Sequence, residues 1–357
     1  MILSFLRSIY LSEGENDDTE FDYETLLAQI ESSSIGAQIY ALLKDSGRLC
    51  FLPGFFLAGL SRIYQACFAQ NMLVRRETEL LLKEFDANGI PVIPLKGTML
   101  AERYFGHFAS RGTSDIDLLI PPEHLDAAVA ALSRAGYLTP LDENPEHYHA
   151  EWTKTAPGLP EPLPVELHWS LAPGGTSRMQ MKAAWEKSSR LGGYGHVRVL
   201  NTTYTFYALC LHGASHRMES MKYVVDLLHL LVRHRAEIDM DWIWRQALAD
   251  GTSRRVSAAL GCLYAYFPEL HGIKKLPFEP KLRFWNSPAK PSAIRKTIYK
   301  LAVMDSWRYR VGYLYRKAFP SEALARYSLD EEGSSHSLPV LYLRLYSQRL
   351  RKLLRGA

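Results

Sequence analysis

Residues 112–121 read GTSDIDLLIP, with two aspartates one residue apart at the mouth of an apolar run. Ile116, Leu118, Leu119 and Ile120 predict a short buried strand, stopped by Pro121 and Pro122. Aspartate is depleted in strands, and an unpaired buried carboxylate is costly. On an extended chain Asp115 and Asp117 share one face while Ile116 and Leu118 take the other. Carboxylates that close repel each other unless a proton or a cation lies between them. The stretch therefore predicts a strand whose paired charges are compensated by something else in the fold.

Upstream, IPVIPL (90–95) is an extended run with prolines, and KGTMLAERYFG (96–106) is a turn and a helix of about two turns. Gly97 lets the backbone approach a phosphate, the helix N-terminus supplies N–H groups, and Thr98 adds a hydroxyl. Lys96 places a cation beside the same phosphates. Arg111 suits bidentate phosphate contact, with a surface arginine as the plain alternative. Downstream, Pro121-Pro122-Glu123 opens a helix with Leu125, Val129 and Leu132 on one side, ending at Gly136.

A second strand follows in PVELHWSL (164–171). Val165, Leu167 and Trp169 face one way, Glu166 and His168 the other. Glu166 supplies a third carboxylate. Oxygen ligands of this density suit Mg²⁺, and three carboxylates from two neighbouring strands leave room for a two-metal site. The plain alternative has Asp115 capping a turn and Asp117 and Glu166 on an exposed sheet face. His168 either orients a carboxylate, acts as a base, or is an ordinary strand histidine.

The chain around this unit reads helical. We expect an α+β protein: an N-terminal helical region (1–75), a small mixed-sheet core (76–201) and a C-terminal helical region (202–357). Within the core, 138–164 reads as loop and irregular strand, and HVRVLN (196–201) as a further strand. Helices from Thr203 onward break at Gly251, Pro268 and 274–295. The net charge of +4 is too mild to argue for nucleic acid. Cys50, Cys67, Cys210 and Cys262 are scattered with no CxxC, which predicts buried free thiols in a reducing compartment. The N-terminus lacks a signal-peptide core, and the apolar run 49–60 is too short to span a bilayer. A soluble cytoplasmic protein is expected.

His212 and His216 have the spacing of a zinc pair on a helix, with Asp226 as a nearby acid. We favour a polar network in which Asp226 pairs with one of these histidines or with Arg217; a metal hydrolase is the weaker alternative. Tyr204, Phe206, Tyr207 and the Trp242-Ile243-Trp244 run read as core. Leu343, Tyr346, Leu350 and Leu354 form a helical stripe among Arg344, Arg349, Arg351, Lys352 and Arg355. This predicts an amphipathic helix docked on the body, with contact to an anionic surface or RNA as the alternative.

Strand, Gly-Thr turn, helix, then Asp-x-Asp on the next strand resembles the nucleotidyltransferase superfamily that includes DNA polymerase β. Residues 90–137, with VELHW and LHGASHRMESMKYVVDLLHLL, resemble an uncharacterised bacterial nucleotidyltransferase family, over about 60–250 of the chain. The resemblance implies Mg²⁺-dependent transfer of a nucleoside monophosphate from a nucleoside triphosphate. Its acceptor could be a small molecule, a peptide or RNA. Gly97 and Thr98 match its phosphate-binding turn, Asp115 and Asp117 its metal pair, and Glu166 its third carboxylate. Thr98 stands where serine is commoner, and 16 residues separate it from Asp115. A non-catalytic binding protein on a degenerate version of the same fold is the alternative.

Overall fold

The computed structural model describes residues 1–11, 20–138, 148–155, 157–159, 161–280, 292–329 and 336–355. Four helices open the chain: α1 (Ile2–Tyr10), α2 (Tyr23–Ser32), α3 (Gly36–Asp45) and α4 (Gly54–Ala87). Asp22 caps α2 by accepting a hydrogen bond from the Thr25 N–H at 3.1 Å. Helix α4 runs 34 residues from Pro53 at its N-cap to Asn88 at its C-cap. Gly89 then turns the chain at φ +68°, a left-handed conformation that favours glycine. The boundary expected at 75/76 falls inside this continuous helix.

The mixed unit follows as β1 (Ile93–Pro94), α5 (Gly97–Phe105), β2 (Ile116–Leu119), α6 (Leu125–Arg134), β3 (His149–Lys154), β4 (Leu163–His168), α7 (Lys182–Glu186), β5 (Ser188–Arg190) and β6 (Arg198–Leu200). Four strands form one sheet in the order β1-β2-β4-β3, with β2 parallel to β4 and the outer pairs antiparallel. A parallel bridge between Val92 and Val197 ties the β5-β6 ribbon to it. Strand β1 is shorter than the run 90–95, because Pro91 and Pro94 lack the N–H of a ladder; as an edge strand it tolerates Pro94. Strand β3 lies in the stretch read as loop and irregular strand. In HAEWTK only Trp152 is fully buried, so an edge strand leaves no alternation to read.

The sheet separates two cores. Ile116, Leu118 and Ile120 with Val165 and Leu167 pack against Val74, Leu81 and Phe85 of α4 and Ala128 and Leu132 of α6. Leu119, on the opposite face of β2, joins a larger core. Asp117 and Glu166 share that opposite face and lie side by side in the parallel register.

The remaining helices are α8 (Thr202–Ser215), α9 (Met221–Arg233), α10 (Met240–Asp250), α11 (Ser253–Tyr266), α12 (Leu270–Ile273), α13 (Ala293–Ala302), α14 (Trp307–Ala318), α15 (Glu322–Ser328) and α16 (Leu338–Arg355), of which α8–α12 build the larger core and α13 packs against it through Tyr299. Phe5 and Leu6 of α1, Ile39 of α3 and Phe56 of α4 belong to the same core as Tyr204, Phe206 and Tyr207 of α8. The two helical regions expected to flank the sheet thus share one core. Short amphipathic helices cannot bury their apolar faces alone, and α8–α11 supply the partner surface. Gly251 ends α10 at φ +68°, and Pro268 separates α11 from α12, as expected. Much of the break at 274–295 lies outside the described residues.

Two expectations are corrected. Cys210 and Cys262 are buried free thiols, but Cys50 is exposed, since it sits on a 3₁₀ turn (Arg48–Phe51) that buries none of its residues. In α16 the buried positions are Leu341 and Leu345, while Leu343, Tyr346 and Leu350 are 69%, 40% and 58% exposed. The stripe expected to dock faces outward, because residues 341 and 345 put the packed face on the other side of the helix. The side chain of Leu354 lies outside the described residues. Among the described residues no helix is long and apolar enough to cross a membrane.

Leu118→Ala is expected to cost about 2–5 kcal/mol, whereas Leu343→Ala changes stability by about 0.5 kcal/mol or less. Urea denaturation midpoints check both. An equal loss for Leu343→Ala would show that its stripe is a packed face.

Candidate active site

The aspartate pair is positioned by a polar residue of α4. Asn71 is fully buried. Its Nδ2 donates to the carbonyls of Phe108 and Arg111 at 2.7 and 2.8 Å, and its Oδ1 accepts from the Thr113 N–H at 3.2 Å. Gln70 holds the Thr113 carbonyl at 2.7 Å. The Thr113 hydroxyl in turn donates to Asp115 Oδ1 at 3.1 Å. The loop before β2 is therefore fastened to a rigid helix, which fixes where Asp115 starts.

The glycine turn lies against this loop. Gly97 adopts φ +73°, and a Cβ there would sit 3.7 Å from the Asp115 carbonyl oxygen. The left-handed backbone, rather than crowding, demands glycine. A hydrogen bond from the Leu95 N–H to the Asp117 carbonyl at 3.0 Å joins the two segments. Helix α5 starts here, so its N-terminus lies beside the Asp115 backbone. Thr98 is buried, and among the described residues its hydroxyl has no hydrogen-bond partner.

Asp117 is 2% exposed. Lys96 Nζ donates to its Oδ1 at 3.0 Å. The His168 Nε2–H reaches the same oxygen at 3.0 Å and Glu166 Oε2 at 3.1 Å. Burial alone would push the Asp117 carboxyl up, but Lys96 and His168 outweigh it and hold it well below the usual range. Glu166 also shifts down: burial and the repulsion of Asp117 push it up, but the His168 hydrogen bond and the charges of His168 and His149 together outweigh them. Burial opposes the charged forms of Lys96 and His168, yet their carboxylate partners raise both. Lys96 Nζ also lies 3.3 Å from His212 Nδ1. Burial and the Lys96 charge push His212 well down, so its ring is the neutral acceptor.

Ligand atoms of Asp115, Asp117 and Glu166 all lie within 4.8 Å of one another. Asp117 Oδ2 is buried with no hydrogen-bond partner among the described residues. A buried carboxylate oxygen without a donor is costly, and a hard divalent ion is the kind of group that would satisfy it. The residues present therefore fit Mg²⁺. Lys96, Tyr148, His168, His212 and Ser215 line an adjoining cavity of about 40 Å³. It has room for water but not for a nucleoside.

The structure brings together Lys96, Gly97, Thr98, Asp115, Asp117 and Glu166. Arg111 has a different task from the one expected. It is 2% exposed, and its Nε and Nη2 both donate to Asp226 at 2.8 Å. The fork expected to clamp phosphate is engaged by a buried acid, which also accepts from Gln38 at 3.1 Å. Asp226 accordingly pairs with neither His212, His216 nor Arg217; Arg217 pairs with Glu219. Among the described residues the groups of possible metal ligands do not include His212 or His216, and Asp226, the acid of the zinc-hydrolase alternative, is held by Arg111.

Residues 19–268 match a family described as an uncharacterised nucleotidyltransferase. The chain belongs to that family. No curated protein and no solved structure matches it. Two further residues of this nucleotidyltransferase were not read from its sequence. Asn71 gave no signal inside a helix-period pattern. Lys222, one helical turn before Asp226, is pushed down to about 8 by burial and by Arg111, against the pull of Asp226 and Asp115. It is a cation close to the carboxylates, with no ion-pair partner among the described residues.

Arg111→Ala leaves Asp226 buried and unpaired, and is expected to cost about 3–5 kcal/mol, while Arg111→Met/Asp226→Leu recovers most of the loss. Chemical denaturation checks this; no loss in the single variant would return Arg111 to the phosphate site. The depressed carboxyls contribute stability that is full above about pH 4 and lost as pH falls through their folded values. His168, raised, contributes stability that is full below about pH 6.5 and lost as pH rises through its folded value. Thermal melts of metal-free protein are expected to fall off on both sides, with Asp117→Asn flattening the acid limb. An unchanged acid limb in that variant would contradict the ion-pair assignment.

Proposed function

We propose that the protein transfers a nucleoside monophosphate from a nucleoside triphosphate to an acceptor hydroxyl or phosphate and releases pyrophosphate. One observation carries this reading: three carboxylates converge within 4.8 Å beside the N-terminus of α5, with a buried Asp117 oxygen that lacks a donor among the described residues. Asp115, Asp117 and Glu166 would hold Mg²⁺, which when bound neutralises charge on the phosphoryl oxygens. Gly97 and Thr98 present N–H groups and a hydroxyl to the phosphates. Lys96 reaches from the same turn, so the amine that neutralises Asp117 can turn to a phosphate oxygen. Lys222 supplies the second cation in place of Arg111.

In the transfer, the acceptor oxygen forms its bond to the α-phosphorus as the bond to pyrophosphate breaks. The acceptor proton passes to Glu166, whose position His168 fixes. Holding the reactants in line supplies much of the acceleration. The four free cysteines suit a reducing, cytoplasmic setting.

A second reading has one observation in its favour. The Lys96–Asp117 pair at 3.0 Å is what a degenerate site would show if lysine stood permanently for the metal, leaving a binding protein. Radiolabelled α-phosphate nucleotides with Mg²⁺ and candidate acceptors, together with thermal shift, separate the two. The transferase reading expects a nucleotide-dependent rise in melting temperature and label transfer that falls about 100-fold or more in Asp117→Asn. Equal turnover in both proteins removes the carboxylates from the reaction. A melting temperature that no nucleotide shifts, with no label transferred, favours the binding protein.

A further inference from the structure

The charge of this chain is unevenly placed. Residues 274–357 carry 18 Lys and Arg against 6 Asp and Glu, while the preceding 273 residues carry 24 against 32. The family match ends at residue 268, so the basic segment lies beyond the matched residues.

The same segment exposes apolar side chains at helical spacing. In α14, Val311, Leu314 and Tyr315 are 55%, 45% and 63% exposed, and the helix has no buried residue. Ile298 of α13 and Leu343 and Leu350 of α16 are also exposed. The three helices are tied together. Lys317 Nζ of α14 donates to Thr297 Oγ1 of α13 at 2.6 Å, and Arg349 Nη1 of α16 donates to the Lys317 carbonyl at 2.7 Å. Burial, then the charges of Lys300 and Arg349, push the Lys317 amine down. Burial, Arg217 and Lys296 do the same to Lys300. Nearby acids are already engaged: Glu322 with Arg326 at 2.6 Å, and Asp305 with the Ser253 and Arg254 N–H groups at 2.8 and 2.9 Å.

A docked helix turns its apolar stripe inward, and a solvated one rarely carries such a stripe. Here outward apolar stripes accompany mutually repelling cations. RNA would satisfy the cations, but it would leave aliphatic Ile298, Leu314 and Leu343 without a stacking partner. An anionic bilayer satisfies both: apolar side chains enter the acyl boundary while lysine and arginine meet phosphate headgroups. We propose that α13, α14 and α16 form a docking surface for anionic phospholipid, on which the protein lies peripherally. The surface is independent of the nucleotidyl-transfer site and goes beyond that reading.

Full-length protein is sedimented with vesicles of phosphatidylcholine alone or mixed with phosphatidylglycerol, at low and high salt. Binding is expected only with phosphatidylglycerol, and it weakens with salt. Val311→Glu/Leu343→Glu and Lys300→Ala/Lys317→Ala are each expected to weaken it about tenfold. Both pairs face outward or touch neighbours lightly, and thermal melts confirm their fold. Absence of binding to either vesicle, or binding unaffected by both variants, overturns the proposal. So does single-stranded RNA that removes the protein from vesicles at lower concentration than lipid, or a dimer in light scattering that Val311→Glu/Leu343→Glu dissolves.

Discussion

A carboxylate almost sealed from water must be matched by positive charge, and Asp117 is the place where this fold meets that constraint. Lys96 and His168 approach the same oxygen, both at 3.0 Å. They come from different segments, the turn before α5 and the end of β4. Matching the charge therefore requires β1, α5, β2 and β4 to be in register at once. The sheet order β1-β2-β4 places the three contributors side by side. Among the described residues the other oxygen of Asp117 is left without a donor, and this is the point at which a structural requirement becomes a candidate catalytic one.

A second buried pair holds the helical body to this centre. Arg111 leaves the loop that leads into β2 and meets Asp226 in α9, and Gln38 of α3 completes the contact. One acid thus binds the N-terminal helices, the C-terminal helices and the loop before β2 together. That explains why the two helical regions form one core rather than two flanking units. A buried ion pair adds little net stability over apolar packing, but breaking it is severe, so its value here is in fixing a single arrangement.

The legible part of the sequence was the part with strong local pattern. GTSDIDLLIP gave β2 and its two faces, PVELHW gave β4, and KGT gave a glycine that does adopt a left-handed backbone. Long-range partners were not legible. Asn71 sits within an unremarkable helical stretch, and nothing local distinguishes an arginine that binds phosphate from one that binds Asp226 across 115 residues of chain. The edge strand β3 reads only as loop and irregular strand, because one buried side chain gives no period. The apolar stripe of α16 was legible, but its direction was not, since periodicity defines a face without saying what that face meets.

The central claim is that Asp115, Asp117 and Glu166 form a cation site which Lys96 partly satisfies until a nucleotide arrives. A crystal of the protein grown with Mn²⁺ and a non-hydrolysable nucleoside triphosphate, with anomalous scattering to locate the metal, tests it most directly. The account predicts manganese bound to Asp115 and Asp117, with Lys96 turned from Asp117 toward a phosphate oxygen. Manganese bound elsewhere, with the Lys96–Asp117 pair intact beside a bound nucleotide, would contradict it.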